Sequence, residues 1–198
     1  ILTPKAIYGL FKAKSYNEKI ELINNDVTFR FPRQLIDKGK NPNYCLADFI
    51  SPNGDDYIGA FALTTGHGLG SIVKQYESKY DDYNSIMVKI LADRLAEASA
   101  EWLHEKIRKN DWGYSQNEEL AKNDLIKEKY LGIRPAPGYP SCPNHEEKDK
   151  LWKLLDVENQ IGISLTESRA MYPASSVCGW YFSHPKSIYF SALKNEAS

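Results

Sequence analysis

Residues 81–110 read DDYNSIMVKILADRLAEASAEWLHEKIRKN, and this stretch decides the architecture. Met87, Leu91, Leu95, Ala98 and Trp102 recur at intervals of three and four, the spacing at which α-helical side chains share one face. Asp81 and Asp82 stand where the positive end of the helix dipole would fall. Lys106, Arg108 and Lys109 stand at its negative end. The reading is a long amphipathic helix whose apolar stripe faces the core, with His104 on its surface.

Working outward, YIGAFALTT (57–65) has the apolar content of a buried strand, and AIYGLFKAKSYNEKIELI (6–23) reads as two strands around a polar turn at Asn17. Residues 26–56 are irregular and broken by Pro32, Pro42 and Pro52. Gly66, Gly68 and Gly70 punctuate a turn. A dinucleotide-binding loop would need its third glycine later and a suitably spaced acid, so a plain loop is the better reading. After the long helix, a second is expected within 117–130 and a third within 145–160, where Leu151, Leu154, Leu155 and Val157 supply apolar contacts. LTESRAMY, SVCGWYF and SIYFSAL, separated by Pro173 and by His184-Pro185, read as antiparallel strands. The fold class is α+β: an antiparallel β-sheet packed against a long amphipathic helix and shorter helices.

Composition narrows the function classes without naming one. A chain of 198 residues suits a single domain spanning 1–198, and 42% hydrophobic with 26% charged residues is ordinary for a globular protein. A net charge of -1 gives no basic face for nucleic acid. No apolar run reaches the length of a membrane span, and the opening ILTPKAIYGLF lacks a secretory pattern. Cys45, Cys142 and Cys178 are an odd, widely spaced set, which fits a reducing compartment. The expected location is cytoplasmic, with no membrane or nucleic-acid partner.

The segment with chemical promise is RPAPGYPSCP (134–143), in which four prolines and one glycine enforce an irregular, stiff path. A stiff loop loses little entropy when a ligand binds its backbone. Its amide donors are those of Arg134, Ala136, Gly138, Tyr139, Ser141 and Cys142, and Arg134 can grip a carboxylate through two parallel bonds. On these residues alone, a structural connector with Arg134 in a surface ion pair is the favoured reading. A zinc site drawn from Cys142, His145, Cys178 and His184 lacks a second close cysteine. His67 has no neighbouring nucleophile to make a hydrolytic triad.

YCLADFISP, DYIGAFALTT, the 81–109 helix, RPAPGYP, SCPNHEEK and LTESRAMYPASSVCGWYFSHPKSIYF occur in this order across most of the chain. Together they closely resemble the activation domain of cobalamin-dependent methionine synthase. The resemblance implies a domain that binds S-adenosylmethionine and supports reductive remethylation of cob(II)alamin. By matching positions, Arg134 would hold the methionine carboxylate, and backbone groups at Arg134, Ala136 and Gly138 would contact the ligand. Tyr139 would border the methyl group, Tyr189 and Phe190 would supply aromatic faces, and Glu97 would lie near the sulfonium. No catalytic acid or base and no metal ion of this chain's own is implied.

The resemblance also sets what must come from elsewhere. The family's domain extends past this sequence at both ends and contributes a ligand-contacting aspartate before its first residue. No DxHxxG-type cobalamin motif occurs here. A cobalamin-binding methionine synthase module acting in trans, and a flavodoxin-like or other reductase, are therefore the expected partners. On this view the chain is one component of a methyltransferase rather than a complete enzyme. The competing expectation is a binding module that keeps the fold without reactivation activity.

Overall fold

Asn17 turns the chain in the left-handed region, φ 53, so that β1 (Lys5–Tyr16) folds back on β2 (Lys19–Leu22) with Tyr16 opposite Lys19. The computed structural model describes residues 2–35 and 42–192. β3 (Thr28–Arg30), β4 (Asp56–Thr64) and β7 (Ser176–Tyr181) complete an antiparallel sheet of order β3-β2-β1-β4-β7. The most deeply buried strand is β4, which lies between β1 and β7 and is buried from Ile58 to Thr64. Such continuous burial means that both faces of the sheet are covered.

The alternation of β4 sorts the two covers. Ile58, Ala60 and Ala62 join Trp180 and the Phe29, Phe31, Phe49 and Phe182 rings in the main core, where Trp180 meets Phe29 and Phe31 edge to face at 5.3 and 5.0 Å. Helices α4 (Glu147–Leu155) and α5 (Val157–Ile161) close that side with Leu151, Trp152, Leu155, Val157 and Ile161. Phe61 and Leu63 point the other way. They pack with Tyr181 against Ala96, Ala100 and Leu103 of α2 (Asp82–Lys106) and against Ile107. Ala92 of α2 meets Leu69 and Val73 of α1 (Leu69–Glu77).

The long helix forms where expected. Asp81 caps it by accepting from Asn84 N at 3.1 Å, and a π-helical turn, Ile107–Asp111, continues it. Its orientation overturns the sequence reading. Met87, Leu91, Leu95 and Trp102 are 36%, 53%, 49% and 62% exposed, and Ala98 is exposed as well. The buried face is instead Ser85, Ala92, Ala96, Ala100, Leu103 and His104, because methyl side chains let the helix axis approach the large rings of Phe61 and Tyr181. His104, expected on the surface, is fully buried.

Other boundaries also differ. The third helix breaks at Asp156, φ 51, into α4 and α5. LTESRAMY is a small ribbon of β5 (Ser164–Leu165) and β6 (Met171–Tyr172) rather than one strand. SIYFSAL forms no strand over its described residues 187–192, and Leu193 lies outside them. Its Ala192 N donates to Pro140 O, and Phe190 packs near Tyr44 and Phe49. The second helix is the short α3 (Lys122–Ile126), while α1 starts at Leu69 with Gly68 as its N-cap, so that Gly70, read as part of a plain loop, is helical. No helix among the described residues is long and apolar enough to cross a membrane.

Candidate functional site

The proline loop is laid against the sheet rather than suspended from it. Ile133 and Phe182 exchange both backbone bonds at 3.0 Å, and Trp180 N donates to Pro135 O at 3.0 Å. Approach this close depends on glycine. A Cβ on Gly179 would lie 2.4 Å from Pro135 O, and one on Gly132 would lie 2.4 Å from Phe182 O. Beyond Pro135 the loop tightens through Gly138 N to Cys142 O at 2.8 Å and Cys142 N to Tyr139 O at 2.9 Å. Gly138, φ 92, sits over the His145 ring, with which any Cβ would collide at 2.2 Å.

Those bonds revise the expected set of backbone donors. Arg134 N donates to Tyr189 Oη at 3.0 Å, and the Gly138, Tyr139 and Cys142 amides bond within the loop. Ala136 N and Ser141 N have no hydrogen-bond partner among the described residues. Of the three backbone positions proposed from sequence, only Ala136 thus retains an open amide, while Arg134 and Gly138 retain carbonyls.

Between this loop, α2 and the start of β7 lies a cavity of about 510 Å³ lined by Glu97, Arg134, Ala136, Tyr139, Tyr189 and Phe190. Six of the seven residues singled out from sequence therefore share one space. Gly138 lines an adjoining smaller cavity, which shares Glu97, Ala136 and Tyr139 with the first. Phe61, Val177 and Cys178 also border the larger space. Tyr139 is 61% exposed and Tyr189 40%, so both rings stand partly open to a ligand. Phe190 is half-buried among Tyr44 and Phe49.

The electrostatics divide the cavity. Arg134 Nη1 donates to Glu101 at 2.7 Å and to Tyr130 Oη at 3.3 Å, while its Nη2 and Nε have no bonded partner among the described residues. Behind it, fully buried Arg108 makes a two-bond fork to Glu118 at 2.8 and 2.7 Å and lies 4.2 Å from the Tyr130 ring. His104 stacks on Tyr181 at 5.0 Å. Burial, then the neighbouring Arg108 and Arg134, hold its imidazole well below the usual histidine range, so it is neutral at physiological pH. Burial likewise raises the Glu101 carboxyl, against the pull of Arg134 and Arg108. Cys178, in the same wall, is pushed up to about 12 by burial and is no nucleophile at neutral pH.

Sequence reasoning missed Glu101 and Glu128, the latter also on the cavity wall. For Glu101 a signal existed. Glu97 and Glu101 are four apart on one helix, a like-charge pair that is unfavourable unless a cation sits beside it. Glu128 sits at φ 52, which nothing in the local sequence announces. Among the described residues no group of three or more His, Cys, Asp or Glu is placed to hold a metal ion.

Residues 1–197 match the family model described as "Vitamin B12 dependent methionine synthase, activation domain". The chain belongs to that family. A crystal structure of the MetH reactivation domain bound to AdoHcy superposes with a TM-score of 0.93 at 50% identity, over 96% of this chain and 62% of that one. The present activation-domain sequence thus spans less than two thirds of that solved chain. Its α+β fold is that of the reactivation domain.

Proposed function

We propose that this activation domain binds S-adenosylmethionine in the cavity between the 134–143 loop and α2, and presents its methyl group to cobalamin held by a methionine synthase module. The observation that carries the reading is the convergence of Arg134, Glu97, Tyr139 and Tyr189 on one space of about 510 Å³, a volume within the usual range for small-molecule sites. A relative of half-identical sequence is known with AdoHcy bound.

The ligand carries a carboxylate, an ammonium, a sulfonium and a flat adenine, and the walls offer a counterpart to each. The open edge of Arg134 suits the carboxylate. Glu97 and Glu128 provide negative charge for the cationic centres, Tyr139 and Tyr189 provide ring faces, and the unpaired Ala136 amide can bond an acceptor. Cobalamin on the partner module, given an electron by an external reductase, would supply the acceptor of the methyl group, and the sulfonium that loses it would leave as a neutral thioether. No proton moves, so the residues of this chain act by orientation and charge.

Calorimetric titration with S-adenosylmethionine should give saturable binding, and Arg134→Ala should weaken it by more than about 1.5 kcal/mol, the lower range for a charged hydrogen bond. Absence of heat would end the reading. Mixing the chain with a cobalamin-loaded methionine synthase module, reductant and S-adenosylmethionine should yield the methylcobalamin spectrum. Binding without that spectrum would leave a ligand-binding module that lacks reactivation activity in trans.

A further inference from the structure

Glu97 and Glu101 lie one turn apart on α2 but meet different surroundings. Glu97 is exposed at the cavity wall, without an ion-pair partner among the described residues. Glu101 receives Arg134 Nη1 at 2.7 Å and lies 3.9 Å from Arg108. With Arg108 forked onto Glu118, charge alternates along Glu118, Arg108, Glu101 and Arg134, and the last member borders the cavity. A ligand carboxylate there would continue the alternation.

We infer that Glu101 is a positioning residue that holds one edge of the Arg134 guanidinium and so keeps the other edge turned to the ligand's carboxylate. The inference rests on the S-adenosylmethionine reading above. Arginine is long and loses much rotamer freedom when fixed, and two other carboxylates, Glu97 and Glu128, share its cavity. Pairing with either would draw the guanidinium across the space that the ligand needs. The Arg134 side chain is only 17% exposed where it meets Glu101. Solvent therefore screens this pair less than it would screen a pair to exposed Glu97.

An opposing effect must be weighed. The Glu101 charge also repels an incoming carboxylate. The guanidinium would stand between them, however, and Arg108 lies 3.9 Å from Oε1 of Glu101 while Arg134 is bonded to Oε2. Orientation therefore outweighs repulsion.

The test titrates wild type and Glu101→Gln with S-adenosylhomocysteine and with its decarboxylated analogue, followed by NMR so that weak binding is measurable. The glutamine variant should bind S-adenosylhomocysteine about tenfold more weakly and the analogue within about twofold of wild type. Unchanged affinity for S-adenosylhomocysteine would overturn the inference. Equal losses for both ligands would also overturn it, by showing general damage to the site. A wild-type chain that binds neither ligand would overturn the S-adenosylmethionine reading itself, a result distinct from either of these.

Discussion

The two halves of α2 distribute their apolar side chains differently. From Tyr83 to Leu95 the helix turns Tyr83, Ile86, Ile90, Leu91 and Leu95 toward solvent. From Ala96 to its end it buries Ala96, Ala100, Leu103 and His104 and, in the following turn, Ile107 and Arg108, and leaves only Trp102 of its large apolar side chains exposed. Size and apolar character measure what a residue gains by burial, not whether the fold buries it. Where a helix must approach large rings such as Phe61 and Tyr181, small side chains take the contact face. Polar residues can follow them inside if each charge has a partner.

The largest break in this comparison should come from the polar end. Arg108→Ala leaves Glu118, whose side chain is 5% exposed, without its cation, and removal of one partner of a buried pair costs about 3–5 kcal/mol. Urea unfolding would measure it, and a loss below that of a surface substitution would show that water already reaches Glu118. Next comes the small-residue face. Ala100→Leu, at a fully buried position against Phe61 and Tyr181, should destabilise by about 1–3 kcal/mol through overpacking, read as a lower thermal midpoint. Smallest is the exposed half: Leu91→Gln should shift the unfolding free energy of this chain by no more than about 0.5 kcal/mol. A larger loss at Leu91 would show that the outer stripe is covered in solution.

The sequence made some features legible and hid others for definite reasons. The existence of α2 followed from period and end charges, and Asp81 does cap it. Its rotation did not follow, because the buried face is written in alanine, which periodicity weighted by large side chains overlooks. Burial of His104 depends on Tyr130, Tyr181 and Arg108 gathering around it, contacts that no local pattern encodes. SIYFSAL has the composition of a strand, yet its residues fasten the loop and the core instead: Tyr189 Oη takes the Arg134 amide and Ser191 O accepts from Gln34. The candidate site was more legible than the packing. The 134–143 loop shows its stiffness in its prolines, and the family resemblance implied that Glu97, Tyr189 and Phe190 meet it, as they do along one cavity wall. Glu101 escaped because its importance lies in a contact with residue 134, far along the chain.

The bonds that tie Ile133 and Pro135 to Phe182 and Trp180 have a consequence for exchange with solvent. The Trp180 and Phe182 amides are donors to the loop itself, so their hydrogens can be lost only when the loop lifts or the sheet edge opens. Ligand held by the loop would oppose both openings. Amide exchange at these two positions, two residues apart at and just past the end of β7, would therefore report occupancy of a cavity that neither residue lines.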